Sequence, residues 1–222
     1  MEDATVVTIP TIVHFMKATD SKMPGDKHNN DVLKTREVFP EIFASADHAK
    51  SVNAIWKRAA VQFKLDPNIG TVPPVLYHLK DFGTEPGGAE QIRFKCSSPP
   101  TEDERQWFRD MQEKFGSHGF QGLQVFVLAR ISSATGDVGM GGCTISQAGG
   151  VTGSAWLDAP AVMEHSQGGF FRPMAHEIGH FLSLRHVQLP KGLMNPDSDG
   201  SDLSDDELER AHKRAVDVMK TQ

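Results

Sequence analysis

"RPMAHEIGHFLSLRH", residues 172–186, carries three of the ten histidines of a 222-residue chain within eleven positions. His176 and His180 are four apart, so on a helix they project from one face, one turn apart, and can reach a single metal ion. Glu177 lies between them and can address the same space without being a ligand. Met174, Ile178, Phe181 and Leu182 give the segment an apolar side that buries the helix and excludes water around the ligands. A catalytic zinc keeps three protein ligands and leaves a fourth position open. The third must come from outside this face. His186, six residues past His180, does not return to it on a continuing helix, but approaches it if the helix ends near Ser183 and the chain turns sharply. The rival third ligand is a downstream glutamate, Glu207 or Glu209, although both also fit a helix cap and a solvated helix face.

The eleven residues "HEIGHFLSLRH" resemble the metzincin zinc-peptidase signature H-E-x-x-H-x-x-G-x-x-H, matching at His176, Glu177, His180 and His186. The match departs at Ser183, where the family has the glycine that permits the turn. A non-glycine residue at positive φ costs about 1 kcal/mol, which is small beside zinc binding. "GLMNP" places Met194 eight residues beyond His186, flanked by the turn formers Gly192 and Pro196. The resemblance implies that Met194 supports the site by packing rather than by ligation. Some metzincins add a tyrosine ligand two residues after this methionine; Pro196 stands there, and the only tyrosine is Tyr77.

The resemblance implies a zinc-dependent endopeptidase, with Zn2+ as cofactor and a protein or peptide as substrate. Zinc on His176, His180 and His186 would bring the pKa of its water toward about 7 and polarise the scissile carbonyl. Glu177 would act as general base and pass the proton to the leaving amine. Two other classes use the same residues: a zinc hydrolase of a non-peptide amide, and a catalytically silent zincin-fold binding module. The intact Glu177 argues against the second.

Outward from this segment, the chain reads as α+β. Residues 6–16 are rich in β-branched side chains and read as a strand that Pro10 confines to an edge or a strand start. Val52, Ile55, Trp56, Ala59 and Phe63 recur at helical spacing, predicting a backing helix over 47–64. Short strands are expected within 71–79 and 91–96, and a helix from a Thr101/Glu104 capping box with Trp107, Phe108, Met111 and Phe115 on its apolar face. The most strand-like segment, 123–131, is expected at the centre of the sheet. Two glycine-bounded strands follow at 138–146 and 151–158. A last helix over 205–219 is introduced by a Ser204/Glu207 capping box and a Leu203/Leu208 staple.

This order resembles that of the metzincins, most of all pappalysin- and matrixin-like members. It implies a zincin fold: a mixed twisted sheet with a backing helix and an active-site helix. It also implies one catalytic domain over 1–222, with an N-terminal lobe of about 1–182 and a small C-terminal lobe of about 183–222 that holds the terminal helix. The family's substrate-binding edge strand corresponds to 138–146. An extended peptide would pair there with Gly141, Gly142, Cys143 and Thr144, whose small residues admit close backbone approach.

A net charge of −6 without a basic stripe excludes nucleic acid as a leading partner. No apolar run approaches a membrane span, and "MEDATVVTIP" lacks the basic start and apolar core of a signal peptide. The expectation is a soluble monomer: a mature secreted fragment, a leaderless effector or a cytoplasmic protein. Two cysteines, Cys96 and Cys143, are too few for a disulfide scaffold and leave one bridge or two thiols open. The remaining histidines lack ligand spacing, His165 being the one near enough in sequence to touch substrate. "DSDGSDLSDDE" places its glycine wrongly for an EF-type calcium loop and reads as a solvated lead into the last helix.

Overall fold

Along Val7–Ala18 every second residue from Ile9 to Phe15 is buried, the period of a strand with one face on a core. This strand, β1, organises the rest. The computed structural model describes residues 5–18, 27–44, 51–68, 73–77, 92–93, 102–128, 131–132, 142–146, 152–158, 172–196 and 200–220. After β1 come α1 (Lys27–Ile42), the short α2 (Val52–Trp56) with a 3-10 turn at Lys57–Ala59, β2 (Val61–Leu65), β3 (Val75–Tyr77) and β4 (Ile92–Arg93). Then follow α3 (Glu102–Phe115), β5 (Gly122–Leu128), β6 (Ile131–Ser132), β7 (Gly142–Ser146), β8 (Thr152–Asp158), α4 (Arg172–Phe181) and α5 (Asp205–Lys220).

The main sheet runs β2-β1-β5-β8-β7, with β3 joined to the far end of β1. All its pairings are parallel except β7 on β8, which is antiparallel. The α+β class and the mixed sheet are therefore present, and β5 is central and buried along its whole length. Side chains of one sheet face (Ile9, Val13, Phe15, Leu123, Val125, Val127, Ala155, Leu157) share a single apolar cluster with α1, α2, α4 and α5. On the other face His14, Phe126 and Trp156 are aligned by register across three strands and stack at 4.7 and 4.1 Å. Burial lowers the pKa of His14, opposed by its hydrogen bond to Gln124.

Two expectations are corrected. No single helix spans 47–64. Ser51 caps a helix of only five residues, Ala60 takes a left-handed conformation (φ 51°), and Val61–Leu65 leaves as a strand with Val61 and Phe63 buried and Gln62 and Lys64 exposed. The buried side chain of Asn53 fastens this join: its Nδ2 donates to the carbonyls of Phe43 and Phe63, and its Oδ1 accepts from Phe63 N. The long helix in this part of the chain is α1, which turns Val32, Phe39 and Ile42 into the core.

Pro10, secondly, lies in an interior strand. It is tolerated because at that point β1 pairs only with β2; pairing with β5 begins at Thr11. Gly122 opens β5 at φ 144°, and a Cβ there would overlap the Pro10 carbonyl.

Helix α3 begins at Glu102, so the proposed Thr101 cap lies outside the described residues. The Ser204/Glu207 box of α5 is formed. Glu207 Oε2 accepts from Ser204 N at 2.8 Å and from its hydroxyl at 2.7 Å. Leu203 and Leu208 are both buried in the core cluster. Among the described residues, no helix is long and apolar enough to cross a membrane.

Candidate metal centre

Helix α4 lies against β7 and β8 at the edge of the sheet and buries Met174, Ala175, Ile178 and Phe181. That leaves His176 and His180 on one face, with ring centroids 4.8 Å apart. The helix ends as the trio requires. Ser183 takes φ 65°; Ser183 N donates to His180 O at 2.9 Å and Leu184 N to Gly179 O at 2.9 Å. These two bonds, with a left-handed residue between them and Leu184 buried behind it, form a Schellman motif. Serine thus adopts the conformation the sequence reading assigned to the family's glycine, and the reversed chain brings His186 back over the helix.

His186 Nε2 stands 3.2 Å from His176 Nε2 and 3.0 Å from His180 Nε2. The three ligand atoms all lie within 4.8 Å of one another, and among the described residues they form the one such group able to hold a metal ion. Tetrahedral zinc–nitrogen bonds of 2.0–2.1 Å place ligand nitrogens about 3.3 Å apart, close to the two separations found. His176 is buried, His180 partly buried and His186 exposed, so the site is walled on the helix side and open on the other.

Backbone carbonyls decide which nitrogen each ring offers. His176 Nδ1 donates to Leu193 O at 2.7 Å, and His180 Nδ1 to Leu184 O at 3.0 Å. A carbonyl only accepts, so both protons sit on Nδ1, and in the neutral rings Nε2 is a lone pair. Burial keeps the rings neutral. It pushes His176 from its ordinary value of 6.5 down to about 3, helped by the charges of His180, Arg172 and His186 and opposed by the Leu193 hydrogen bond. Burial likewise lowers His180, with the Leu184 carbonyl raising it and His186 lowering it. Two lone pairs therefore face a third nitrogen that can offer a proton to only one of them. A cation at their meeting point satisfies all three.

The turn at Met194 anchors the centre twice. Leu193 O holds His176, and the next carbonyl, Met194 O, accepts from Val187 N, the residue after His186, at 3.1 Å. Met194 itself is fully buried against α4 at Gly179, beside Trp56. The turn is closed by Asn195 N to Gly192 O at 3.3 Å and braced by Leu193 N to Asp202 O and Asp202 N to Lys191 O.

Of the other residues singled out, Glu177 is buried on α4, with 6% of its surface exposed. Glu207 is committed to its helix cap and Glu209 is exposed, so neither joins the cluster. Gly142, Cys143 and Thr144 lie in β7, the last strand of the sheet among the described residues, paired to Leu157, Trp156 and Ala155. Gly141, His165 and Cys96 lie outside the described residues, as does the side chain of Cys143, and with them the question of a bridge. His14 and His212 have structural partners, Gln124 and the Ala59 carbonyl.

Sequence reasoning missed Arg172 and Gly179. The guanidinium of Arg172 reaches the carbonyls of Gly192, Leu193, Asn195 and Gly200. The only available signal was its position one turn before His176.

A scan against protein-family models finds no match to the chain, and a search of curated proteins finds no relative.

Proposed function

We propose that the protein is a zinc-dependent endopeptidase of the metzincin type, with His176, His180 and His186 as zinc ligands and Glu177 as general base. The observation that carries this reading is the convergence of three Nε2 atoms, two of them from a helix and fixed as lone pairs by carbonyls and the third from the reversed chain beyond it, beside the last strand of the sheet among the described residues. A zinc ion so held supplies a Lewis acid for a carbonyl oxygen and acidifies water.

The chain's own residues provide the rest. His176 and His180 offer their Nε2 lone pairs because their Nδ1 protons are engaged elsewhere. Glu177, next to His176 and buried, takes the proton of the attacking water and returns it to the departing amine. The side of β7 that pairs with no other strand among the described residues, with Gly142 at its start, would offer backbone N–H and C=O groups to an extended peptide, which lies antiparallel or parallel as an added strand. A site open on the His186 side admits such a chain. Met194 and the 192–195 turn keep the ligands in place without touching substrate.

The deciding experiment incubates the protein with denatured casein and a mixed peptide library, with and without a zinc chelator. Cleavage that the chelator abolishes and zinc restores is the expected result. Zinc binding with no cleavage of any peptide would reject the peptidase reading and leave a hydrolase of another amide or a binding module.

A further inference from the structure

Resting on that reading of the histidine trio, we propose that Arg172 is a positioning residue of the metal centre. It ties the first ligand, His176, to the Met194 turn through a carbonyl that both side chains share. Arg172 and His176 are one helical turn apart on α4, so they face the same neighbour. That neighbour is the chain at 192–195 and at 200. Arg172 Nη2 donates to Leu193 O at 3.0 Å, the oxygen that also accepts from His176 Nδ1 at 2.7 Å. The same Nη2 reaches the carbonyls of Gly192, at 3.4 Å, and Asn195, while Nε donates to Gly200 O at 2.9 Å.

A carbonyl oxygen has two lone pairs, so Leu193 O serves both donors at once. Two consequences follow. The guanidinium collects carbonyls from both ends of the turn, and so fixes where the Leu193 oxygen lies and, through it, the plane of the His176 ring. It also draws electron density from that oxygen, which makes it a weaker acceptor for the imidazole N–H and His176 a less basic ligand than one backed by a free carbonyl. Lysine supplies the charge but not the fork: a single ammonium cannot replace donors that diverge toward residue 200 and the 192–195 turn.

The test uses the full chain, with Arg172→Gln and Arg172→Lys, and three readouts independent of catalysis. These are zinc affinity by chelator competition, the visible absorption of the cobalt(II)-substituted protein, and amide exchange at Leu193 and Asp202. Partners behind a metal ligand are typically worth 10–100-fold in metal affinity. The expected result is a loss of that size in Arg172→Gln, a smaller one in Arg172→Lys, an altered cobalt spectrum in both, and faster exchange at Leu193. Should Arg172→Gln fail to fold, Arg172→Lys decides alone. A folded variant with wild-type zinc affinity and an unchanged cobalt spectrum would overturn the role of Arg172 and leave the trio intact. Wild-type protein that binds no zinc would remove both.

Discussion

Met194 occupies the space that a Cβ at residue 179 would need: built on Gly179, that atom would overlap the Met194 sulfur. In the middle of a helix, Gly→Ala ordinarily gains about 1 kcal/mol from propensity alone. Here the added methyl has to displace a fully buried side chain beneath the ligand helix, and overpacking of this kind costs about 1–3 kcal/mol. Gly179→Ala is expected to lower the unfolding midpoint and weaken zinc binding. A more stable variant with normal zinc affinity would show that Met194 and α4 are not closely packed.

Ser183 holds a left-handed conformation at the C-terminus of α4. Ser183→Gly should raise stability by up to about 1 kcal/mol, since the Cβ strain is removed while the unfolded chain gains some freedom. Ser183→Val should lower it by more than that and loosen zinc binding, because a β-branched residue resists the turn that returns His186. Thermal melts of the two zinc-free variants check both signs.

The histidine segment was legible because its pattern lies in residue types at fixed spacing: two histidines one turn apart, a third after a turn, and a methionine in a second turn. The strands β1, β5, β7 and β8 and the helices α3 and α4 were legible from their residue pattern, and α5 from its capping residues as well. What failed did so for physical reasons. Val52, Ile55, Trp56, Ala59 and Phe63 are all buried, yet they reach the core from a short helix, a 3-10 turn and a strand in succession, so a helical period arose from three different local geometries. Helix α1 hid behind a polar composition and an internal Pro40, although Val32, Thr35, Phe39 and Ile42 are spaced as one buried stripe. Arg172 was invisible because its partners are backbone carbonyls, which every residue possesses and only the fold selects.

The acid response of the metal-free protein follows from the buried imidazoles. His176 in the folded state stays neutral down to about 3, and His180 and His14 are also lowered, whereas the unfolded chain binds protons from about pH 6.5 downward. Between these limits the unfolded state holds more protons, so stability is complete above about pH 6.5 and falls as the pH drops toward 3. Each such histidine contributes a slope of at most about 1.4 kcal/mol per pH unit. Denaturant titrations of chelator-treated protein at pH 7.5 and 5.5 should show a clear loss at the lower pH; equal midpoints would mean that these rings are not buried as neutral species.

Glu177→Gln keeps the shape of a buried side chain but removes its basicity. Stoichiometric zinc with a fall in peptide hydrolysis of at least about 10²-fold is expected, the lower bound for general-base catalysis. Activity near that of the wild type in the zinc-loaded variant would take Glu177 out of the mechanism.

The most direct measurement is the zinc content and affinity of His186→Ala beside Glu207→Ala, on the dialysed 222-residue chain by mass spectrometry and chelator competition. His186 approaches the other two rings only because the chain reverses at Ser183, whereas the Glu207 carboxylate is held in the cap with Ser204. The expected result is one zinc per chain in the wild type and in Glu207→Ala, which should lose only cap-level stability of about 1 kcal/mol, and near-complete loss of zinc in His186→Ala. Zinc retained by His186→Ala, or lost by Glu207→Ala, would contradict the three-histidine centre.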